Sequence, residues 1–249
     1  MAMGIAAALV LSLVMVPAPV ASEYVALGDS YAAGVGSGGS GECGRSASAH
    51  PSLWNDAHSP AEFRFAACSG ATTQDVLESQ VASLSSVTTL VTLTVGGNDI
   101  GFTDVMTTCT LGSDQGCEQA VARAGEVIRT ELPGRLERLL AAVDAKAPIA
   151  QVVLLGYPRL FESGPCVSGM SEAKRAAVNS GADSLATTTA AAAKAAGVAF
   201  VDVRQAFTGH GICGADPWLH AITLPVGDSY HPNRSGQTGY LRALEAELR

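Results

Sequence analysis

The chain has 249 residues, 47% of them hydrophobic and 15% charged, which suffices for one sizeable core. Fifteen Lys and Arg stand against 23 Asp and Glu, giving a formal net charge of −8 with the cations scattered. Such a chain has no basic run with which to neutralise phosphates, so nucleic acid is not expected as a partner.

Residues 4–16 are almost wholly apolar, Pro17 and Pro19 end the run, and Val20-Ala21-Ser22 has the small-x-small form of a leader cleavage site. Residues 1–22 therefore read as a secretory signal peptide, although Met1-Ala2-Met3 lacks the usual basic residue. The run is short for a membrane span, so no stable span is expected. Residues 23–249 read as one domain, without internal repeat or linker. A first strand is predicted over 24–27, ending at Gly28-Asp29-Ser30. A glycine-rich stretch follows, with Gly34, Gly36 and Gly39 spaced G-x-G-x-x-G. A dinucleotide site needs its first glycine directly after the strand and a helix opening at the third. Neither condition holds, so this stretch is expected to be a mobile rim of a substrate pocket.

Further strands are predicted over 63–67, 90–95, 150–155 and 198–203. Runs such as "TLVTLTV" and "QVVLLG" lack a polar face, as parallel strands covered on both sides do. Helical spacing runs over 118–145, interrupted by Pro133, and over 171–196 up to Gly197, a C-terminal stop. A last helix is predicted from Pro232 to the chain end, and 34–44 and 204–230 are the long irregular pieces. Strand–helix alternation gives a three-layer α/β/α sandwich around a mostly parallel five-stranded sheet.

In such sheets chemistry gathers beyond the carboxyl ends of the strands. Those ends carry Gly28-Asp29-Ser30, Cys68-Ser69-Gly70 and Gly96-Gly97-Asn98-Asp99, and Asp228-Ser229-Tyr230-His231 comes late in the chain. A serine hydroxyl is a weak nucleophile without a base, and His231 is the best candidate among five histidines. Asp228 is the candidate partner for its other ring nitrogen. The backbone N–H groups of Ser30 and Gly70 and the Asn98 amide are candidate oxyanion donors. Each has a plainer reading: a helix cap for Ser30 or Asp228, a turn for Gly70, a loop brace for Asn98. Asp99 is read as structural, and His50, His58, His210 and His220 as surface or loop residues.

Six cysteines in an exported chain favour disulfides. Many pairings are possible; the sequential one, Cys43–Cys68, Cys109–Cys117 and Cys166–Cys213, closes loops between neighbouring elements. No C-x-x-C, H-E-x-x-H, G-x-x-x-x-G-K-[ST] or G-x-S-x-G occurs, so neither a metal or other cofactor nor an α/β-hydrolase elbow is expected.

Gly28-Asp29-Ser30, Gly70, Gly97-Asn98-Asp99 and Asp228-x-x-His231 together resemble, in order, the four sequence blocks of the SGNH hydrolases, or GDSL esterases and lipases. The cysteines and "DPWLH" are similar to their secreted actinobacterial branch. The resemblance implies a flavodoxin-like fold and a secreted, metal-independent serine esterase or lipase acting on fatty or short acyl esters, with phospholipase A activity within the family's range. It implies Ser30 as nucleophile, His231 as base, and Ser30, Gly70 and Asn98 around the oxyanion. In some members a backbone carbonyl from a loop like that around Trp218 orients the histidine; because Asp228 is present, a full triad is expected here. Alternatives are a carbohydrate acetyl esterase, or a catalytically silent module binding lipid or glycan. A monomer acting on a small-molecule or lipid ester completes the expectation.

Overall fold

The computed structural model describes residues 22–166 and 169–249, so the signal-peptide reading lies outside the described residues except for Ser22. The elements run β1 (Glu23–Gly28), α1 (Ser30–Ala33), α2 (His50–His58), β2 (Glu62–Phe65), α3 (Thr73–Asp75), β3 (Leu90–Thr94), α4 (Phe102–Leu111), α5 (Asp114–Thr130), α6 (Leu132–Lys146), β4 (Gln151–Leu155), α7 (Glu172–Ala196), β5 (Ala199–Val201) and α8 (Arg234–Glu247).

All five strands are parallel, in the order β2-β1-β3-β4-β5. The register puts Leu27 beside Leu93 and Leu93 beside Leu154, and these three side chains are wholly buried. β1 and β3 are buried along their full length because helices cover both faces. Helices α1, α2 and α8 pack together on one side, α3 to α7 on the other. This is the predicted three-layer α/β/α arrangement. Among the described residues no helix is long and apolar enough to cross a membrane.

Local chemistry explains where the helices begin and end. The predicted 118–145 helix is two, because Pro133 cannot donate to the carbonyl one turn back and its ring clashes there. Pro133 instead sits in the first turn of α6, where no donor is needed. The first of the two begins early, at Asp114, since the Ser113 hydroxyl accepts from Gly116 N. Ser171 caps α7 and Gly197, at φ +70°, ends it. Asn233, not Asp228, caps α8 by accepting from Gly236 N. Disulfides join Cys43 to Cys68, Cys109 to Cys117 and Cys166 to Cys213. The first pins the glycine-rich loop to the end of β2, the second α4 to α5, the third two loops beyond β4 and β5. Loops of such lengths contribute about 2–4 kcal/mol each when closed.

One expectation fails here. His50 is fully buried rather than on the surface. Its ring stacks on Tyr240 and, with its backbone N–H, addresses the Gln237 carbonyl, while Gln237 Nε2 donates to Tyr31 O. Burial pushes the His50 pKa down to about 4, so it is a neutral core residue joining α2 to α8. The glycine run, expected to be a mobile rim, packs against the histidine loop. Gly36 lies so close beneath the histidine loop that a Cβ there would stand 3.0 Å from His231 Cβ. Its carbonyl faces His220 Nε2 at 2.7 Å. Close backbone approach is what the glycine provides.

Candidate active site

β1 ends in Gly28, whose φ of +126° and contact with Thr94 leave no room for a side chain; a Cβ would meet Thr94 O at 2.2 Å. This sharp turn delivers Ser30 to the first position of α1. The helix cap that Ser30 was weighed for belongs to its neighbour: Asp29 Oδ1 accepts from Tyr31 N at 3.0 Å. The Ser30 hydroxyl is thus left for other work. Gln80 fixes the turn from below, accepting from Gly28 N at 2.7 Å and donating to Gly28 O at 2.9 Å.

His231 Nε2 lies 2.8 Å from Ser30 Oγ, and Nδ1 lies 3.0 Å from the backbone carbonyl of Ser229. A carbonyl can only accept, so Nδ1 carries the proton and Nε2 presents its lone pair to the serine hydroxyl. The expected Asp228 contact is not made. Asp228 lies in a single 3₁₀ turn (Val226–Asp228) and meets His231 through its backbone carbonyl, which accepts from His231 N at 3.2 Å. The backbone bends at Tyr230, at φ +64°, between the Ser229 carbonyl and the imidazole that it meets. Nor does the carbonyl come from the Trp218 loop, since Trp218 O accepts from Asn233 N instead.

Burial lowers the His231 pKa to about 4; the Ser229 carbonyl and the Asp228 charge oppose that shift without cancelling it. The imidazole is therefore neutral at pH values where an ordinary histidine is charged. For a reaction that uses His231 as its base, kcat/KM is expected to hold as pH falls through 6.5 and to decline only toward pH 4. A rate–pH profile on a soluble ester checks this, and it moves the acid limb below the range a free histidine would give. For the same geometric reason, Asp228→Ala is expected to lower kcat by less than about tenfold, the partner of Nδ1 being untouched. Steady-state kinetics of that variant decide between carboxylate and carbonyl.

Ser30, Gly70, Asn98 and His231 line one cleft. Among the described residues the N–H groups of Ser30 and Gly70 have no acceptor. Asn98 Nδ2 donates to Ala71 O at 3.0 Å, which fixes the amide and leaves its second N–H free. Asp99 is structural as expected: it accepts from Thr73 N at 2.9 Å and Thr73 Oγ1 at 2.6 Å, tying the Asn98 loop to α3.

Sequence reading missed a hub under this floor. The Tyr157 hydroxyl, just past β4, donates to Asp29 Oδ2 and accepts from Gly97 N at 3.0 Å. It thereby ties the serine turn to the Asn98 loop. Burial raises the Asp29 pKa to about 7, against the bonds from Tyr157 and Tyr31 N. The signal was available, since Tyr157 follows the fourth strand as the other site residues follow the first three.

Below Ser30 a largely apolar cavity runs between α4, α5 and α7, lined by Phe102, Met106, Val121, Ile128, Val178 and Gly181 among others. Its interior is narrow, with about 70 Å³ of accessible volume. A hydroxyl facing an imidazole above an apolar pocket is an arrangement suited to acyl transfer from an ester.

Residues 26–238 match the GDSL-like Lipase/Acylhydrolase family, and the chain belongs to it. It is a carboxylic ester hydrolase of that family. It is 50% identical to Lipase 1 of Streptomyces coelicolor over 230 residues, spanning 90% of this chain and 86% of that one. The crystal structure of phospholipase A1 from Streptomyces albidoflavus NA297 superimposes with a TM-score of 0.89 at 50% identity, covering 91% of this chain and 99% of the other. An extracellular lipase from Streptomyces rimosus gives 0.88 at 47% identity, covering 91% and 99%.

Proposed function

We propose that the protein is a secreted lipase or esterase in which Ser30 attacks the carbonyl of a fatty-acyl ester while His231 takes its proton. The imidazolium so formed is held by the Ser229 carbonyl. The oxyanion is received by the N–H groups of Ser30 and Gly70 and the free N–H of Asn98. Collapse of the intermediate expels the alcohol, which leaves with the proton from His231. Water, deprotonated by His231, then attacks the acyl-enzyme, and the carboxylic acid departs as Ser30 regains its proton. No step requires a cofactor. Export agrees with the apolar leader, the three disulfides and the extracellular Streptomyces rimosus relative.

The observation that carries the acyl preference is the cavity opening at Ser30, whose lining is almost wholly apolar. An acyl tail lying there would leave the alcohol side in the wider cleft. A chain-length series of nitrophenyl esters, set beside an acetylated polysaccharide, tests this. Higher kcat/KM for medium or long chains than for acetyl is expected, and acetyl release from polysaccharide alone would overturn it. The cavity also offers a sharper test at Gly181, where an added Cβ would stand 3.5 Å from Val121 Cγ1. Gly181→Leu should fill the space between α5 and α7. We expect kcat/KM to fall about tenfold for long acyl chains while butyryl hydrolysis is little changed, the loss matching a few methylenes of burial.

A further inference from the structure

The six large apolar side chains exposed among the described residues are not spread evenly. Val87 and Ile149 lie just before β3 and β4, at the end of the sheet away from the site. The other four gather at the cleft. Leu111, 81% exposed, ends α4; Ile222, Leu224 and Val226, at 54%, 85% and 67%, follow one another on the loop before His231. Leu111, Ile222 and Val226 belong to the cleft wall itself, and Leu224, between the last two in sequence, is outside that lining.

Charge around the mouth is equally uneven. One wall comes from a stretch with no Lys or Arg between Arg64 and Arg123, the other from one with none between Arg204 and Arg234. The charged residues on these stretches near the mouth, Asp104, Asp114 and Asp228, are acids. The whole chain carries −8. Lys174, which donates to Gly112 O beside Leu111 and lies 4.0 Å from Asp114, is buried and offers little to an anionic surface, whereas four exposed apolar side chains favour insertion among hydrocarbon chains.

We infer that Leu111, Ile222, Leu224 and Val226 form a docking face for a lipid surface without net negative charge. The inference builds on the proposed ester site, because docking there turns the mouth toward the substrate. Insertion rather than charge holds the enzyme on the lipid, so binding follows the packing of the surface and not its potential.

The test separates binding from catalysis by using the Ser30→Ala protein. Its partition onto phosphatidylcholine vesicles is measured by co-sedimentation, with and without phosphatidylglycerol, at low and high salt. We expect binding to phosphatidylcholine that salt does not weaken, no gain on adding the anionic lipid, and a loss of about tenfold on combining Leu224→Ser. In the Ser30 protein, Leu224→Ser should leave hydrolysis of dissolved nitrophenyl butyrate unchanged, since Leu224 lies outside the cleft wall. Tighter binding to anionic vesicles, or partition insensitive to Leu224→Ser, overturns the proposal. So does a self-association seen by sedimentation equilibrium and abolished by Leu224→Ser, which would assign the rim to a second copy. Loss of ester hydrolysis as the failing element would show in the butyrate assay alone and leave the vesicle result standing.

Discussion

Ser30→Ala and His231→Ala are each expected to lower kcat by on the order of 10⁴ or more, with the double variant no worse than the worse single one. In the proposed mechanism the two groups form one relay, with Nε2 2.8 Å from the serine hydroxyl, so either alone has nothing to do. Ser30→Ala removes a single hydroxyl and spares the cap, which Asp29 provides, so its melting temperature should match the parent's. Initial rates on nitrophenyl butyrate measure the loss, and labelling by an organophosphorus fluoride that disappears in Ser30→Ala confirms the nucleophile. Multiplying losses in the double variant would mean that the two act separately.

Asn98→Ala should cost about 10²–10³ in kcat with little change in KM, the usual toll of removing one oxyanion donor. The ground-state carbonyl oxygen needs the amide less than the negative oxygen of the intermediate does, so binding is spared. The Nδ2 bond to Ala71 O would also go, leaving the Gly70 turn less well held. Gly70 itself is at φ +83°, with open space where its Cβ would be. Its turn is thus held by the Cys43–Cys68 bridge two residues away and by Asn98. A variant that lost stability and kept kcat would place Asn98 among the braces.

How much of this was legible follows from what a sequence displays. β1 and β3 are apolar on both faces, and that alone announces a sandwiched parallel sheet. Gly197 marks the end of α7 because the left-handed cap favours glycine. Helices α2 and α4 left no such mark. α4 carries Thr103, Thr107, Thr108 and Thr110 and begins after Gly101 without a side-chain cap, so tertiary packing settles it rather than propensity. Ser30, Gly70, Asn98 and His231 could be picked out because each is a distinctive residue at a strand end or before a proline. The partner of His231 could not, since a carbonyl belongs to every residue and only the chain path says which one faces the ring. Asp228 drew attention because it was visible. His50 misled in the opposite sense: its imidazole reads as polar, yet Gln237 and Tyr240 accommodate it in the interior.

That choice of partner has an evolutionary corollary. A carboxylate can be erased by one nucleotide change, whereas the peptide oxygen at position 229 survives any substitution there. What is exposed to mutation is the bend itself. At Tyr230, with φ +64°, a β-branched residue such as valine or isoleucine would resist the left-handed conformation, and glycine would accept it. The alignment of the imidazole thus rests on a torsion angle, and substitution is expected to be tolerated less at residue 230 than at its neighbour.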